Sequence, residues 1–222
     1  MTFSTMRPPA TLLVSTLLVG AVAAVADGPS QYVDQLISVK LPRYLEAYYQ
    51  GGIPLQNFVF GLPRGGPRRS DTKAEFHNGR LTGPLERLGF CSSRDAGGDA
   101  VVVSCYLSLD NLHVSYDGST KGDDIDRANK SISVEAKFVR GRAYLEILIE
   151  PDTTPVLKIW TILPRSLRLS YSRSLELNEV NRWQSFEKQV HDNIKEAVTA
   201  AFYGTLRDAV ESVLPAVPLP LL

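Results

Sequence analysis

The sequence of 222 residues predicts an α+β fold in which a strongly curved antiparallel β-sheet wraps around a long C-terminal α-helix, with an N-terminal helix alongside. Three observations predict it. Apolar residues recur with helical spacing from Phe186 to Leu214, a second helical stripe runs from Val33 to Tyr48, and the segments between them alternate apolar and polar residues as strands do. Because a one-sided sheet needs a cover over its apolar face, we expect the sheet to curve around the helices.

The start of the chain has the pattern of a secretory signal peptide. Arg7 is the only charge before Asp27, an apolar run follows it, and residues 24–26 form an Ala-Val-Ala cleavage site. We expect residues 1–26 to be removed and residues 27–222 to form a single secreted domain, with no transmembrane segment in the mature chain. The alternative is an uncleaved membrane anchor, for which the apolar run is short.

Proline and glycine delimit the two helices. The N-terminal helix is predicted over residues 30–50, with Gly51 as its stop signal and a kink just before Pro42, which cannot donate a backbone hydrogen bond. The C-terminal helix is predicted to begin near Asn181 and to end at Pro215. Its apolar stripe alone would span about 43 Å, far more than the roughly 16 Å radius of gyration of a domain this size.

About six strands are predicted between the helices, and turn signals indicate how they connect. Asn78-Gly79 is predicted to be a tight hairpin turn, and the change of phase after Asp110 is predicted to be a β-bulge. Because short turns join successive segments, we expect the strands to pair in order as an antiparallel meander. The alternating segments are residues 73–76, 80–82, 101–109, 112–116, 132–138, 143–149, 157–163 and 167–171.

The residues that usually carry chemistry form no recognisable constellation. The sequence has no Gly-x-Ser-x-Gly elbow, His-Glu-x-x-His motif or phosphate-binding glycine loop, and His77, His113 and His191 share no metal-ligand spacing. The 24 basic and 24 acidic residues balance, which gives no basic excess for binding nucleic acid. We therefore predict a protein that is not an enzyme and carries no metal or cofactor.

Two covalent modifications are predicted. Cys91 and Cys105 are the only cysteines, and in a secreted chain they are expected to form a disulfide, the alternative being two buried thiols. Closing a loop of that length would contribute about 3 kcal/mol to stability. Asn129 begins an Asn-Lys-Ser sequon and is the predicted glycosylation site.

The order of segments and one stretch of sequence resemble a known family. Residues 76–89 read FHNGRLTGPLERLG and resemble the strand–turn–strand segment of arthropod single-domain members of the tubular lipid-binding superfamily. The resemblance is to mite group-7 allergens and, more distantly, to juvenile-hormone-binding, takeout-like and bactericidal permeability-increasing proteins. It implies a curved sheet around a long helix, with a hydrophobic channel for lipids. The hormone-binding and takeout-like members carry a cysteine pair near the mature N-terminus, whereas the first cysteine here is Cys91, and Pro84 interrupts a strand of the family pattern.

The leading functional hypothesis is a secreted, non-catalytic protein that binds a fatty acid, lipid or terpenoid-like ligand between the sheet and the helices. Apolar burial alone supports such binding, because each buried CH₂ contributes about 0.8 kcal/mol. Trp160 is included in the lining although it falls out of phase with its strand. The predicted lining is Val33, Leu36, Ile37, Tyr44, Leu145, Ile147, Ile149, Ile159, Trp160, Val190, Ile194, Val198, Phe202, Leu206 and Val210.

Two alternatives remain open at this level. The apolar side chains would otherwise fill the core, and the protein would act through its surface. Arg64, Arg68 and Arg69, in a loop rich in glycine and proline, would then contact an anionic lipid surface or a bacterial surface, unless the loop is merely solvated. A helix-grip fold also clamps a long C-terminal helix, but that fold begins with a strand.

Overall fold

The computed structural model describes residues 28–62, 72–121, 129–163, 166–172 and 180–218. Its helices are α1 (Gly28–Gln35), α2 (Leu41–Tyr49), α3 (Val180–Ala201) and α4 (Arg207–Val213). Its strands are β1 (Gly52–Pro54), β2 (Phe58–Leu62), β3 (Thr72–Thr82), β4 (Glu86–Gly97), β5 (Ala100–Ser108), β6 (His113–Lys121), β7 (Lys130–Val139), β8 (Arg142–Ile149), β9 (Val156–Ile162) and β10 (Ser166–Tyr171). The predicted α+β fold, with its antiparallel strands, N-terminal helix and long C-terminal helix, is confirmed.

The strands form two sheets rather than one continuous meander. A six-stranded sheet has the order β1-β3-β6-β7-β10, with β2 also paired to β3, and a four-stranded sheet has the order β4-β5-β8-β9. All described pairs are antiparallel. The predicted meander is wrong because the chain changes sheets after β3, β5, β7 and β9, so strands that are neighbours in sequence are not always neighbours in space.

The Asn78-Gly79 dipeptide lies inside β3 and is not a hairpin turn. Asn78 has φ 56°, and the register between β3 and β6 shifts between His77 and Arg80, which is a β-bulge. A Cβ at Gly79 would overlap the ring of Tyr116 on β6. The dipeptide therefore accommodates a packed tyrosine within a continuous strand instead of reversing the chain.

The phase change after Asp110 is a crossing between sheets, and the predicted bulge at this point is wrong. The backbone N–H of Leu109 donates to the carbonyl of Gly141 at 3.0 Å, and the N–H of Gly141 donates to the Asp110 carboxylate at 2.8 Å. These bonds join the β5–β6 connection to the β7–β8 connection. Two crossings between the sheets thus stabilise each other at one end of the molecule.

Each helical region contains a π-helical turn. Leu36–Lys40 joins α1 to α2, with the N–H of Leu41 donating to the carbonyl of Leu36, and it lies directly before Pro42, where the sequence predicts a kink. Phe202–Leu206 joins α3 to α4, so residues 180–213 form one long helix of about 51 Å that ends just before Pro215. None of the described helices is both long and apolar enough to cross a membrane.

The helices cover the inner faces of both sheets. α3 packs against β2 and β10 of the six-stranded sheet, α4 packs against β9 of the four-stranded sheet and against α2, and α1 packs on β4. The buried apolar side chains of all these elements form one cluster. α2 contacts both α4 and β1 at one end of the molecule, and the candidate site lies at that end.

Candidate functional site

Most of the predicted lining lies in the filled core. All of its residues are buried except Tyr44, which is half-buried, and Ile159, which is exposed. Val190, Ile194 and Val198 on α3 have no accessible surface and pack within the apolar cluster. The interior along α3 is therefore occupied by the protein's own side chains, and ligand contact by these residues stays a prediction.

The inward placement of Ile159 is wrong, and that of Trp160 agrees with the structure. The pairing of β8 with β9 shifts register between Glu146 and Ile147, which inserts an extra residue and reverses the alternation in β9. Ile159 is consequently 39% exposed, while Trp160 is buried.

Trp160 makes two contacts with the π-helical turn of the long helix. Its ring stacks on Phe202 at a centroid distance of 4.5 Å, and its indole N–H donates to the Phe202 carbonyl at 2.9 Å. A π-helical turn breaks the regular hydrogen-bond ladder of an α-helix, so a side-chain donor at this carbonyl stabilises the irregular turn. The next member of that turn to face inward is Leu206.

A cavity of about 210 Å³ lies at the end of the molecule beside Leu206. Helical residues, the start of β1, the end of β3 and the connections that follow β3 and β5 supply its walls. Only Ile37 and Leu206 belong to the predicted lining. The lining residues are Ile37, Leu41, Pro42, Leu45, Glu46, Gly51, Ile53, Leu81, Gly83, Pro84, Leu85, Leu112 and Leu206.

The cavity has an apolar floor and an exposed mouth. Ile53, Leu81 and Leu112 are buried, as is Leu85, whereas the mouth residues Pro42, Glu46, Gly51, Gly83 and Pro84 are exposed. Among the lining residues Glu46 is the one titratable group, and no lining residue is a cation. The site therefore offers apolar burial with a carboxylate at its rim, and it provides no nucleophile or acid–base pair.

The volume limits what the cavity holds as it stands. Ligand pockets for drug-sized molecules are about 300–1,000 Å³, while an engineered apolar cavity of about 150 Å³ holds a benzene molecule. A cavity of about 210 Å³ therefore accepts a ring or a chain of about six to eight carbon atoms. A complete long acyl chain requires side chains along the long helix to move.

The sequence missed most of this cavity because its walls come from the ends of elements. Leu81, Leu85 and Leu112 flank turns, and their meeting depends on how β3 and β5 leave their sheets. Gly83-Pro84 is the signal that could have pointed here, because it breaks the strand pattern within an otherwise apolar stretch.

The remaining predicted sites have separate outcomes. The disulfide between Cys91 and Cys105 is confirmed, with a Cα–Cα distance of 4.7 Å. Asn129 is exposed immediately before β7, and its glycosylation stays a prediction. Arg64, Arg68 and Arg69 lie outside the described residues, as does the predicted signal peptide. Within the described ranges no group of three or more His, Cys, Asp or Glu side chains is arranged to hold a metal ion.

Comparisons with known proteins give one relative by sequence and two similar solved structures. No family model matches it. It is 20% identical over 207 residues to Salivary anticoagulant protein P23 of Ixodes scapularis, across 90% of this chain and 92% of that protein. Its structure is similar to Takeout 1 of Epiphyas postvittana, with a TM-score of 0.42, 13% identity, and coverage of 85% of this chain and 91% of that one.

A second structural match is a lipopolysaccharide binding protein, with a TM-score of 0.47 and 14% identity over 83% of this chain. The chain spans 40% of the length of that protein. The sequence resembles takeout-like proteins among others, and one of the two structural matches carries that name.

Proposed function

We propose that this protein is a secreted, non-catalytic binding protein that takes a small, uncharged apolar ligand into the cavity between α2, β3 and the π-helical turn at Leu206. The observation that carries the proposal is the cavity itself, about 210 Å³ of apolar space at the junction of both helical regions and the six-stranded sheet. The signal-peptide pattern and the disulfide support secretion.

The volume of the cavity limits how many carbon atoms a ligand can bury, and this number sets the expected affinity. Burying about six to eight carbon atoms at about 0.8 kcal/mol each contributes about 5–6 kcal/mol. Without ordering costs this corresponds to a dissociation constant of about 0.1 mM. Tighter binding of a longer ligand needs additional contacts along the core, which the residues predicted as lining on α3 would supply after rearrangement.

The charge at the mouth favours a neutral ligand over a fatty acid anion. Glu46 lies at the rim, and α2 ends at Tyr49, so the carbonyls of its last turn place partial negative charge near the same opening. A ligand carboxylate with its chain in the cavity would lie close to both. A terpenoid-like alcohol or the neutral part of a lipid therefore suits the site better.

The experiment compares two ligands that differ only in their head groups, 1-octanol and octanoate, by NMR titration at pH 7.5. We expect 1-octanol to bind with a dissociation constant of about 0.1 mM and octanoate to bind a few-fold more weakly, since an exposed charge pair contributes up to about 1 kcal/mol. Glu46→Gln should reduce the difference between the ligands.

A pair of tryptophan variants on α2 locates the binding site. Leu45→Trp places an indole in the cavity and should weaken 1-octanol binding tenfold or more. Ala47→Trp adds the same group at an exposed position of α2 outside the lining and should leave binding unchanged. Equal binding by the Leu45→Trp variant and the parent protein would refute the site, and absence of 1-octanol binding would refute the function.

A further inference from the structure

The outer face of the four-stranded sheet is more apolar than that of the six-stranded sheet. An antiparallel sheet packed on one side normally exposes polar side chains on the other. The six-stranded sheet follows this rule in its paired rows apart from Val59, which pairs with Glu75 and is exposed. Those rows include Glu75–Ser119–Ser131, His77–Asp117–Ser133 and His113–Lys137–Arg168. The four-stranded sheet departs from it in two rows, Leu88–Tyr106–Tyr144 and Val102–Leu148–Val156, which flank the mixed row Ser104–Glu146–Ile159.

The outer face of the four-stranded sheet carries a group of apolar and aromatic side chains, here called the outer apolar patch. Leu88, Tyr106 and Tyr144 lie side by side across β4, β5 and β8, and the two tyrosine rings are 5.0 Å apart. Phe90 is 79% exposed, the largest exposure among the large apolar residues described. The outer apolar patch consists of Leu88, Phe90, Tyr106, Tyr144, Val156 and Ile159.

Phe90 stands on a bulge of β4 that is held from its N-terminal side by an ion pair. Gly89 has φ +69°, and the register with β5 shifts between Leu88 and Ser92. Arg87 donates two hydrogen bonds to the carboxylate of Asp34 on α1, at 2.8 and 2.9 Å, and a third to the carbonyl of Gly89. The arginine thus ties the bulge to the N-terminal helix.

The C-terminal side of the same bulge is held twice more. Cys91 is bonded to Cys105 on β5, and its backbone N–H donates to the hydroxyl of Ser30 on α1 at 3.0 Å. Cys91 is buried, so its fixed position aims the preceding residue outward. A disulfide, an ion pair and a buried hydrogen bond therefore immobilise a segment whose most exposed apolar side chain is Phe90.

The size of the outer apolar patch argues against a second copy of the chain as its partner. Four strands about 4.8 Å apart and three rows of outward residues about 6.8 Å apart give a face of roughly 400 Å². A symmetric dimer through this face would bury roughly 800 Å² in total, below the roughly 1,200–2,000 Å² of stable specific complexes. A lipid surface has no such minimum, because it adapts its shape to the side chains that enter it.

The charges around the patch also suit a lipid surface. Glu146 is the acidic side chain within the three rows, and it accepts hydrogen bonds from Tyr144 at 2.6 Å and Arg94 at 3.5 Å. Its side chain is 14% exposed, so it presents little free negative charge. Arg94 and Lys158 flank the patch with exposed cationic ends that can reach phosphate groups while their stems lie along apolar surface.

We propose that the outer apolar patch docks on a lipid bilayer, with Phe90 as its inserted anchor and the tyrosines at the level of the head groups. The proposal is independent of the cavity, which lies on the inner side of the fold. Aromatic rings with a polar end are enriched at membrane–water interfaces, and a preorganised anchor avoids the ordering cost of insertion.

The test is sedimentation of the full chain with phosphatidylcholine vesicles and with vesicles that also contain phosphatidylserine. We expect the protein to bind both kinds of vesicle. Phe90→Ala should lower the partition coefficient about tenfold, because alanine buries much less apolar area in the lipid than phenylalanine does. Tyr48→Ala is the matched control because it removes an aromatic side chain that is 69% exposed on α2. It should bind like the parent protein.

Several outcomes would overturn the proposal. One is that the protein does not bind vesicles, and another is that Phe90→Ala and Tyr48→Ala weaken vesicle binding equally. A third is binding that requires phosphatidylserine and disappears at high salt, which would show that charge rather than the outer apolar patch drives binding. A dimer in sedimentation equilibrium that Phe90→Ala dissociates would assign the patch to a second copy. The Leu45→Trp variant should bind vesicles normally, which separates this result from that of the cavity.

Discussion

Replacing Gly79 with alanine is expected to destabilise the protein strongly, because no space exists for a Cβ at this bulge. The added atom would overlap the ring of Tyr116, which is 1% exposed. That ring packs edge-on against Phe58 at 5.0 Å, and its hydroxyl donates to the carbonyl of Gln56 at 2.9 Å. Either the ring or the β3 backbone has to move.

The magnitude follows from these contacts. Forcing extra atoms into a packed core costs about 1–3 kcal/mol. Displacing the Tyr116 hydroxyl removes one hydrogen bond, worth about 1 kcal/mol. The free energy of unfolding should therefore fall by about 2–4 kcal/mol. For a domain of this size that corresponds to a lowering of the melting temperature by about 4–16 °C.

Thermal and urea unfolding followed by circular dichroism measures the effect, with Gly204→Ala as the control. A Cβ at Gly204 meets nothing within 4 Å, and alanine favours helix over glycine by about 1 kcal/mol, so this variant should equal or exceed the parent in stability. Adding Tyr116→Leu to Gly79→Ala should recover part of the loss, because the clash and the ring are coupled. Parent-like stability of Gly79→Ala would refute the bulge and return the dipeptide to a free turn.

Two further predictions concern buried aromatic groups. Trp160→Phe keeps a ring beside Phe202 but leaves the carbonyl of the π-helical turn without its indole donor, so urea unfolding should show a loss of about 1–3 kcal/mol; an unchanged midpoint would mean that this bond contributes nothing. Burial raises the pKa of Tyr32 to about 12, and it also raises the pKa of Tyr116 and of Tyr171. Because burial favours the neutral hydroxyl, these three tyrosines contribute their full stabilisation of the fold below a pH of about 10, the pKa of an unfolded tyrosine. That contribution is lost as the pH rises through the folded pKa values. Urea melts between pH 8 and 11.5 should therefore show a falling free energy of unfolding above pH of about 10, and a flat profile would contradict it. No described group pairs with the Tyr32 hydroxyl, so Tyr32→Phe should be at least as stable as the parent and should make the decline shallower.

The helices were predictable because their signals are long and repeated. The stripe from Phe186 to Leu214 repeats over eight turns, and single irregularities such as the π-helical turn at Phe202–Leu206 do not disturb it. Pro42 likewise acts through its own backbone, and the irregular turn lies directly before it. A sequence therefore predicts features that depend on a residue itself or on residues a few positions away.

The strand connections were less predictable because they depend on distant partners. Asn78-Gly79 has the composition of a hairpin turn, and only the ring of Tyr116, from another strand, explains why the glycine serves packing instead. In β9 a bulge reverses which side chains face inward, so Ile159 is exposed and Trp160 buried although alternation favours the opposite. A one-residue shift in register is invisible in the sequence of the shifted strand.

The location of the cavity follows from the division of the strands into two sheets. β3 belongs to the six-stranded sheet and β4 to the four-stranded sheet, so residues 83–85 cross between them. Side chains at a crossing are not aligned by strand pairing, and the helical cover there comes from α2 and Leu206 rather than from the continuous face of α3. The core is consequently filled where one helix faces paired strands and incompletely filled where the chain changes sheets.

The same crossing joins the cavity to the outer apolar patch along the chain. Leu85 lines the cavity, and β4 begins at the next residue, with Leu88 and Phe90 of the outer apolar patch a few residues further on. A strand rises about 3.4 Å per residue, so Phe90 lies no more than about 17 Å along the chain from the cavity wall. A bilayer that accepts Phe90 would therefore lie within that distance of one wall of the cavity. The disulfide, the Arg87–Asp34 pair and the Ser30 hydrogen bond fix the first half of β4 in place, so Phe90 keeps a constant position relative to Leu85 whether or not the cavity is filled.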